Sequence, residues 1–173
     1  NSAKIVESRT NLLSAPLTRV FGVFFNQNEN EILAHKEVRK ALSLSINKEN
    51  IIESVLFGYG SQADGPLPPT ASNTIIGTST ASSSKAQALD VLTAAKWKKN
   101  PATGLVELKG KTSSSTISIT LSTANIPELV ESAKKIEEDW KSLGVTVDVQ
   151  VFEPADLNQG VIRPRKYEAL LFG

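Results

Sequence analysis

The stretch ISITLSTANIPELVESAKKIEEDWKSLGVTVDVQV, residues 117–151, decides the fold class. Its first part alternates apolar and small polar residues, which predicts a half-buried β-strand. Gly144 marks the end of the next segment, and the valines of residues 145–151 alternate with polar residues to predict a second strand. Between the strands, apolar residues recur at steps of four and three and predict the buried face of a helix: Leu129, Ala133, Ile136, Trp140 and Leu143.

A strand, a helix and a strand of this length form a βαβ unit, whose crossover is expected to be right-handed. Asn125 and Glu128 have the spacing of a capping box at the start of the helix. Residues 20–26 predict a buried strand, and residues 156–161 and 167–172 predict a short helix and a last strand in the same sheet. We therefore predict an α/β fold with a mixed β-sheet and helices on its faces.

The remaining segments predict further helices and turns. Residues 37–46 have the apolar spacing of a helix, and Asn47 is the predicted N-cap of a second helix that ends near Gly58. The buried face of that second helix should hold Ile51, Ile52, Val55 and Leu56.

Ser84 and Gln87 form a predicted capping box for a third helix. Residues 100–104 predict a turn before a strand that begins at Val106. We expect one lobe over residues 1–173, with residues 1–19 as a leader or inter-lobe segment and residues 70–84 as a flexible Ser/Thr-rich loop.

Composition excludes several classes of function. The 173 residues carry a formal net charge of +1, so charge alone indicates neither nucleic acid nor an anionic membrane as partner. Cysteine is absent and His35 is the only histidine. Disulfides, thiolate nucleophiles and cysteine-based zinc sites are therefore excluded. The glycine pattern lacks phosphate-loop and dinucleotide fingerprints.

Individual candidates for chemistry have simpler structural explanations. His35 could be a general base or a metal ligand, but the sequence favours a surface residue at a helix start. Residues 137–139 are consecutive acidic residues, which fan around a helix and favour a solvated face. Arg163 and Arg165 could bind an anion, although an exposed turn is the favoured interpretation. Both tryptophans are predicted in the core, and we predict no catalytic group, metal or cofactor.

Open α/β sheets bind ligands beyond the carboxyl ends of their strands. The predicted strand ends include Phe152 and Glu153. The residues that we predict to contact a ligand are five others: Asn26, Thr123, Asn125, Phe172 and Gly173.

The order of segments resembles the family 5 extracellular solute-binding proteins, the oligopeptide-, dipeptide- and nickel-binding subunits of ABC importers. Each segment is weakly specific, but together they cover most of the chain from Val20 onward. They are residues 25–52 with EVRKALS, the loop GYGSQADGPLPP at 58–69, the helix end at 88–98, IEEDWKSLGV at 136–145 and YEALLFG at 167–173.

This resemblance implies a type II periplasmic-binding-protein-like lobe of a two-lobed protein that closes on its ligand by hinge motion. The chain would form most of the smaller, C-terminal lobe. Its implied partners are short peptides or a similar small solute and the membrane permease of an ABC importer, without nucleic acid or direct insertion in a membrane. The implied location is extracytoplasmic, in a periplasm or as a cell-surface lipoprotein. Thr123, Asn125 and the Gly173 backbone would face the cleft, and Asn26 is a weaker candidate.

Two alternatives belong to other classes of function. The same fold could serve as the solute-sensing domain of a transcription regulator, which would require a DNA-binding segment elsewhere in the parent chain. An α/β enzyme domain ranks last, because His35 and scattered carboxylates are the only candidate groups.

Overall fold

A computed structural model describes residues 19–63, 84–110 and 114–173. Predictions for residues 1–18 and for the loop at 64–83 lie outside this part of the chain. The helices and strands follow in chain order: β1 (Gly22–Phe25), α1 (Lys36–Ser45), α2 (Lys48–Ser54), α3 (Lys85–Ala94), β2 (Trp97–Lys99), β3 (Val106–Lys109), β4 (Ser114–Thr116), β5 (Ser118–Ala124), α4 (Pro127–Leu143), β6 (Thr146–Phe152), α5 (Pro154–Asp156) and β7 (Ala169–Phe172).

The main sheet has four strands in the order β1-β7-β5-β6. Strand β5 pairs in parallel with both β6 and β7, and Thr123 lies opposite Val151 on one side and Leu171 on the other. Strand β1 pairs antiparallel with β7. The sheet is therefore mixed, as predicted, and helices cover it, so the α/β class is confirmed.

The βαβ unit forms as the apolar periodicity predicts. All five predicted residues of the α4 stripe are buried, and Trp140 and Leu143 are fully enclosed. Gly144 follows α4 with a φ of 105°, a left-handed conformation that favours glycine. Enclosing a large apolar side chain contributes about 1.5–3 kcal/mol, so this stripe is a main source of stability.

The predicted capping box of α4 is wrong. The N-cap is Ile126, which offers no side-chain hydrogen bond, and Pro127 occupies the first turn. Proline is favoured at that position because its missing N–H would have no partner there and its φ suits a helix. Asn125 therefore lies outside the helix.

Helices α1 and α2 have the predicted order but differ in burial. Val38, Ala41 and Leu42 of α1 are enclosed, whereas none of the α2 residues is buried. The Asn47 side chain accepts a hydrogen bond from the Asn50 N–H, which confirms the predicted cap. The predicted buried face is only half-buried: Ile51 packs against the core, and the helix ends at Ser54, before Val55 and Leu56 and short of the predicted end near Gly58.

Helix α3 begins at the Ser84 cap, whose side chain accepts a hydrogen bond from the Gln87 N–H at 3.3 Å. It leads into a second sheet of three antiparallel strands, β2-β3-β4. The turn at residues 100–104 joins β2 to β3 as predicted. Strand β2 was not predicted; at three residues it is too short to show a period. Its Trp97 is buried, as predicted.

The first and last strands of the main sheet differ in burial. The first, β1, is an edge strand with Phe24 exposed rather than a buried strand. The last, β7, lies between β1 and β5, and Ala169, Leu170 and Leu171 are buried. Between β6 and β7, α5 continues into a π-helical segment, Leu157–Ile162, where one short helix was predicted.

Candidate functional site

The three parallel strands β5, β6 and β7 end at one edge of the main sheet. Because β1 runs antiparallel to β7, the residues that precede β1 lie at the same edge. We call this the carboxyl edge and define it by Arg19, Asn125, Glu153, Phe172 and Gly173. It is the position at which open α/β sheets bind ligands.

Asn26 is not at the carboxyl edge, so its predicted grouping with the other four residues is wrong. Its backbone N–H donates to the Glu168 carbonyl at 2.8 Å, and its side chain donates to the Arg165 carbonyl at 2.8 Å. Both partners precede β7. The antiparallel pairing of β1 thus puts Asn26 at the opposite edge, where its side chain also accepts the Asn28 N–H.

Thr123 lies near the edge but is fully buried. Its hydroxyl donates a hydrogen bond of 3.1 Å to the Leu171 carbonyl, which joins β5 to β7. The side chain therefore stabilises the sheet and has no surface for a ligand, contrary to the prediction that it faces a cleft.

Asn125 is exposed at the carboxyl edge, as its position after β5 predicts. Its N–H donates to the Phe152 carbonyl at 2.7 Å, which fixes the end of β5 against β6. Its side-chain amide donates to the Glu153 carboxylate at 2.7 Å. Asn125 thus orients an exposed carboxylate that sequence reasoning named only as a strand end.

Phe172 and Gly173 end β7 at the same edge, and Phe172 is 44% exposed although it is aromatic. A Cβ on Gly173 would clash with the Phe21 ring and lie 2.6 Å from the Val20 carbonyl oxygen. Only glycine allows this close approach between the residue that follows β7 and the residues that precede β1.

Arg19 completes the edge and was not predicted. Its guanidinium lies 4.8 Å from the centre of the Phe21 ring, and its Nη2 donates to the Gly173 carbonyl at 3.0 Å. The position could have been found in the sequence only by recognising that β1 is antiparallel, since Arg19 precedes its strand.

An open groove of about 490 Å³ adjoins the carboxyl edge on the sheet face opposite α4. The groove lies on that face because strand side chains alternate: Phe25 stacks on Trp140 of α4 with ring centres 6.1 Å apart, while Phe24 points the other way. Its walls are mainly apolar and include Phe24, Leu157, Ile162, Tyr167, Leu170 and Phe172.

The other sequence candidates lie away from this edge. His35 is exposed at the start of α1, edge-on to Trp97, and makes no cap hydrogen bond. Glu137 and Glu138 pair with lysines of α4, and Asp139 accepts the Asn47 N–H at 2.8 Å. Arg163 and Arg165 occupy an exposed turn, as predicted.

Residues 19–63, 84–110 and 114–173 contain no group of three or more histidine or acidic side chains arranged to hold a metal ion. Among the helices of those residues, none combines the length and the apolar character that crossing a bilayer requires.

Sequence comparison gives the decisive finding. The family model described as "Bacterial extracellular solute-binding proteins, family 5 Middle" matches residues 2–173. The chain belongs to this family. The family 5 resemblance of the five sequence segments is thereby confirmed.

Known family 5 proteins and related folds agree with the match. The chain is 29% identical over 156 residues to the oligopeptide-binding protein AppA of Bacillus subtilis, covering 87% of this chain and 28% of AppA. The structure of AppA in complex with a nonapeptide superposes with a TM-score of 0.79 at 25% identity, covering 99% of this chain and 34% of that one.

A nickel ABC transporter protein from Bacillus halodurans has a TM-score of 0.75 at 17% identity, covering 99% of this chain and 34% of that one. At that identity the similarity shows the fold alone. The chain thus spans about a third of the length of these relatives.

Proposed function

We propose that this chain is a ligand-binding lobe of an extracytoplasmic solute-binding protein that captures peptides, or a related small solute, for an ABC-type importer. Membership of family 5 carries the proposal, because that family is described as extracellular and solute-binding. The complex of AppA with a nonapeptide supports peptides as the solute class. The membrane permease of the importer would be the partner that receives the solute.

The solute contacts the carboxyl edge through Asn125, Phe172 and Gly173. Backbone and amide groups at strand ends can bind the main chain of a peptide without selecting its side chains, and water can fill the remaining space. The apolar groove beside Phe172 offers room for an apolar group of the solute. No covalent step is part of this function.

Residues 1–173 act as one lobe, and a second lobe closes over the solute by hinge motion. The parent protein works outside the cytoplasm, in a periplasm or as a cell-surface lipoprotein. Since a two-lobed protein shares its contacts between the lobes, this lobe alone should bind weakly.

Calorimetric titration of this chain with short peptides tests the proposal. We expect dissociation constants well above micromolar, because the contacts of the second lobe are missing. Sub-micromolar binding by this chain alone would contradict a shared site. Turnover of a peptide would contradict a purely binding function.

A further inference from the structure

We propose that a second surface of this lobe, formed by α1, the end of α3 and β2, binds a linear phosphate polymer. We call it the basic surface and define it by Lys36, Lys40, Lys96 and Lys98. It lies at the end of the main sheet opposite to the carboxyl edge. The inference goes beyond the proposed function and does not depend on it.

The charges of the chain are unevenly distributed, although they almost cancel in total. Residues 36–45 and 85–109 carry eight lysines and arginines against three acidic residues, whereas the other described residues carry eight against thirteen. A local excess of positive charge creates a potential that concentrates anions at that surface. The distribution of charge therefore indicates an anionic partner that the net charge of the whole chain does not reveal.

Helices α1 and α3 form the walls of an open groove of about 440 Å³. Lys36, Glu37 and Lys40 line it on the α1 side, so two positive charges and one negative charge face the groove. The opposite wall is formed by side chains no larger than valine, which are Val91, Ala94 and Ala95. The groove thus has room for a narrow chain beside a pair of ammonium groups.

Strand β2 extends the same positive surface beyond the groove. Lys96 follows the α3 wall directly, and the ring of His35 lies edge-on to Trp97 at 6.0 Å, so the start of α1 lies next to β2. Trp97 is buried, and Lys98 therefore points to the solvent side of its strand. The lysines of α1 and of β2 consequently face solvent on adjoining elements.

The four lysines of the basic surface are exposed and have no acidic partner within 4.0 Å among the residues that the structure describes. The ion pairs of those residues all lie on α4 instead. Each ammonium group has three donors and a full charge, and lysine binds phosphate as a point charge. The basic surface therefore has charge available for a ligand.

Backbone contacts place this surface away from the carboxyl edge. The Val106 N–H at the start of β3 donates to the Gly144 carbonyl at 2.8 Å, just before β6 begins. The Asn30 side chain, which precedes α1, donates to the Ser118 carbonyl at the start of β5 at 2.9 Å. Elements of the basic surface thus adjoin the edge at which the parallel strands begin, and a polymer there leaves the carboxyl edge open.

The shape of the surface favours a linear polymer over a membrane or a folded protein. A flat bilayer would reach only the rim of the groove, whereas a flexible chain can lie inside it and continue to β2. The small side chains of the α3 wall offer little apolar area, and the core of a stable protein interface needs such area. Binding through charge alone is typical of phosphate polymers, whose counterions are released on contact with lysines.

Fluorescence anisotropy of an end-labelled polyphosphate tests the inference at about 50 mM salt. The label is titrated with the unchanged chain, with Lys36→Gln/Lys40→Gln and with Lys96→Gln/Lys98→Gln. Lys134→Gln/Lys135→Gln is the matched control, because it removes two lysines that already pair with glutamates of α4. Circular dichroism checks that each variant keeps its fold.

We expect both variants of the basic surface to bind polyphosphate about tenfold more weakly, and the control to bind like the unchanged chain. Glu37→Gln should bind about threefold more tightly, because it removes the negative charge from the groove. Such a gain cannot arise from a loss of fold. The affinity of the unchanged chain should fall steeply with salt, and the slope should be smaller in both lysine variants.

Three results would overturn the proposal. The first is no binding of polyphosphate by the unchanged chain, and the second is an equal loss in the control and in the variants of the basic surface. The third is tighter binding of polyglutamate or of phosphatidylglycerol vesicles, which would assign the surface to an acidic peptide or to a membrane.

Trialanine, a short peptide probe, separates this surface from the solute site. Saturating trialanine should leave the affinity for polyphosphate unchanged, because the two sites lie at opposite ends of the sheet. Competition between them would contradict a separate surface. Failure of polyphosphate to bind would leave the proposed solute binding intact, and failure of trialanine to bind would leave the basic surface intact.

Discussion

The indole nitrogen of Trp140 donates a hydrogen bond of 3.0 Å to the backbone carbonyl of Leu42, and this bond joins α4 of the βαβ unit to α1. The Ser45 hydroxyl donates to the same carbonyl at 3.0 Å. Trp140 also stacks on Phe25 of the edge strand β1. One side chain therefore connects a helix pair with the strand that carries Arg19 to the carboxyl edge.

Replacing Trp140 tests this connection. Trp140→Ala should lower the free energy of unfolding by about 3–5 kcal/mol, the usual cost of removing a buried large aromatic side chain. Trp140→Phe keeps the stack on Phe25 but loses the indole N–H, so about 1–2 kcal/mol is expected. Urea denaturation followed by circular dichroism measures both. Unchanged stability of Trp140→Phe would mean that the bond to Leu42 contributes nothing.

Gly144 is a position where the backbone excludes a side chain. Its φ is 105°, and a Cβ would lie 2.7 Å from the Gly104 carbonyl oxygen. Gly144→Ala should therefore destabilise the chain by about 2–4 kcal/mol, from the left-handed conformation and the clash together.

Gly104→Ala is the matched control for Gly144. Its φ is 73°, but nothing lies within 4 Å of the added Cβ. It should cost only the conformational term, about 1 kcal/mol. Equal effects of the two substitutions on the urea midpoint would show that the contact between Gly144 and Gly104 is unimportant.

Replacing Thr123 shows whether its side chain stabilises the fold or contacts the ligand. Thr123→Val removes the hydroxyl that donates to the Leu171 carbonyl within the buried sheet. Stability should fall by about 1 kcal/mol, the net value of a typical buried hydrogen bond. Peptide affinity should not change, because the side chain is enclosed. A loss of affinity without loss of stability would restore Thr123 as a ligand contact.

Asn26 and Asn125 form a matched pair at opposite edges of the sheet. Asn26→Ala loses hydrogen bonds with Arg165 and Asn28, so stability should fall by about 1 kcal/mol while peptide binding persists. Asn125→Ala releases Glu153 and should weaken peptide binding instead. Thermal unfolding and NMR titration of both variants distinguish the two roles. The reverse pattern would mean that the ligand binds at the edge of Asn26.

Local periodicity made much of the fold predictable. The α4 stripe and the alternating strands β5 and β6 depend on residues within three or four positions of each other, and the sequence displays such spacings directly. The ends of the helices were harder to predict from the sequence. Asn125 and Glu128 match a capping box, but the conformation of Pro127 moved the start of the helix by one residue.

The candidate site was only partly predictable, because it depends on how distant segments pair. Strand β1 meets β7 across almost 150 residues of sequence, and no local pattern states that they run antiparallel. Because β1 runs antiparallel to β7, Asn26 lies at the opposite edge of the sheet and Arg19 lies at the carboxyl edge. Thr123 was misjudged for a related reason, since its burial depends on β7 lying beside β5.

Amide chemical-shift mapping shows directly whether a peptide binds at the carboxyl edge. Trialanine is titrated to millimolar concentration into isotope-labelled chain. We predict shifts at Asn125, Glu153, Phe172 and Gly173, with little change at Asn26 and Glu168 on the opposite edge. Shifts confined to the opposite edge, or an unchanged spectrum throughout, would contradict this prediction.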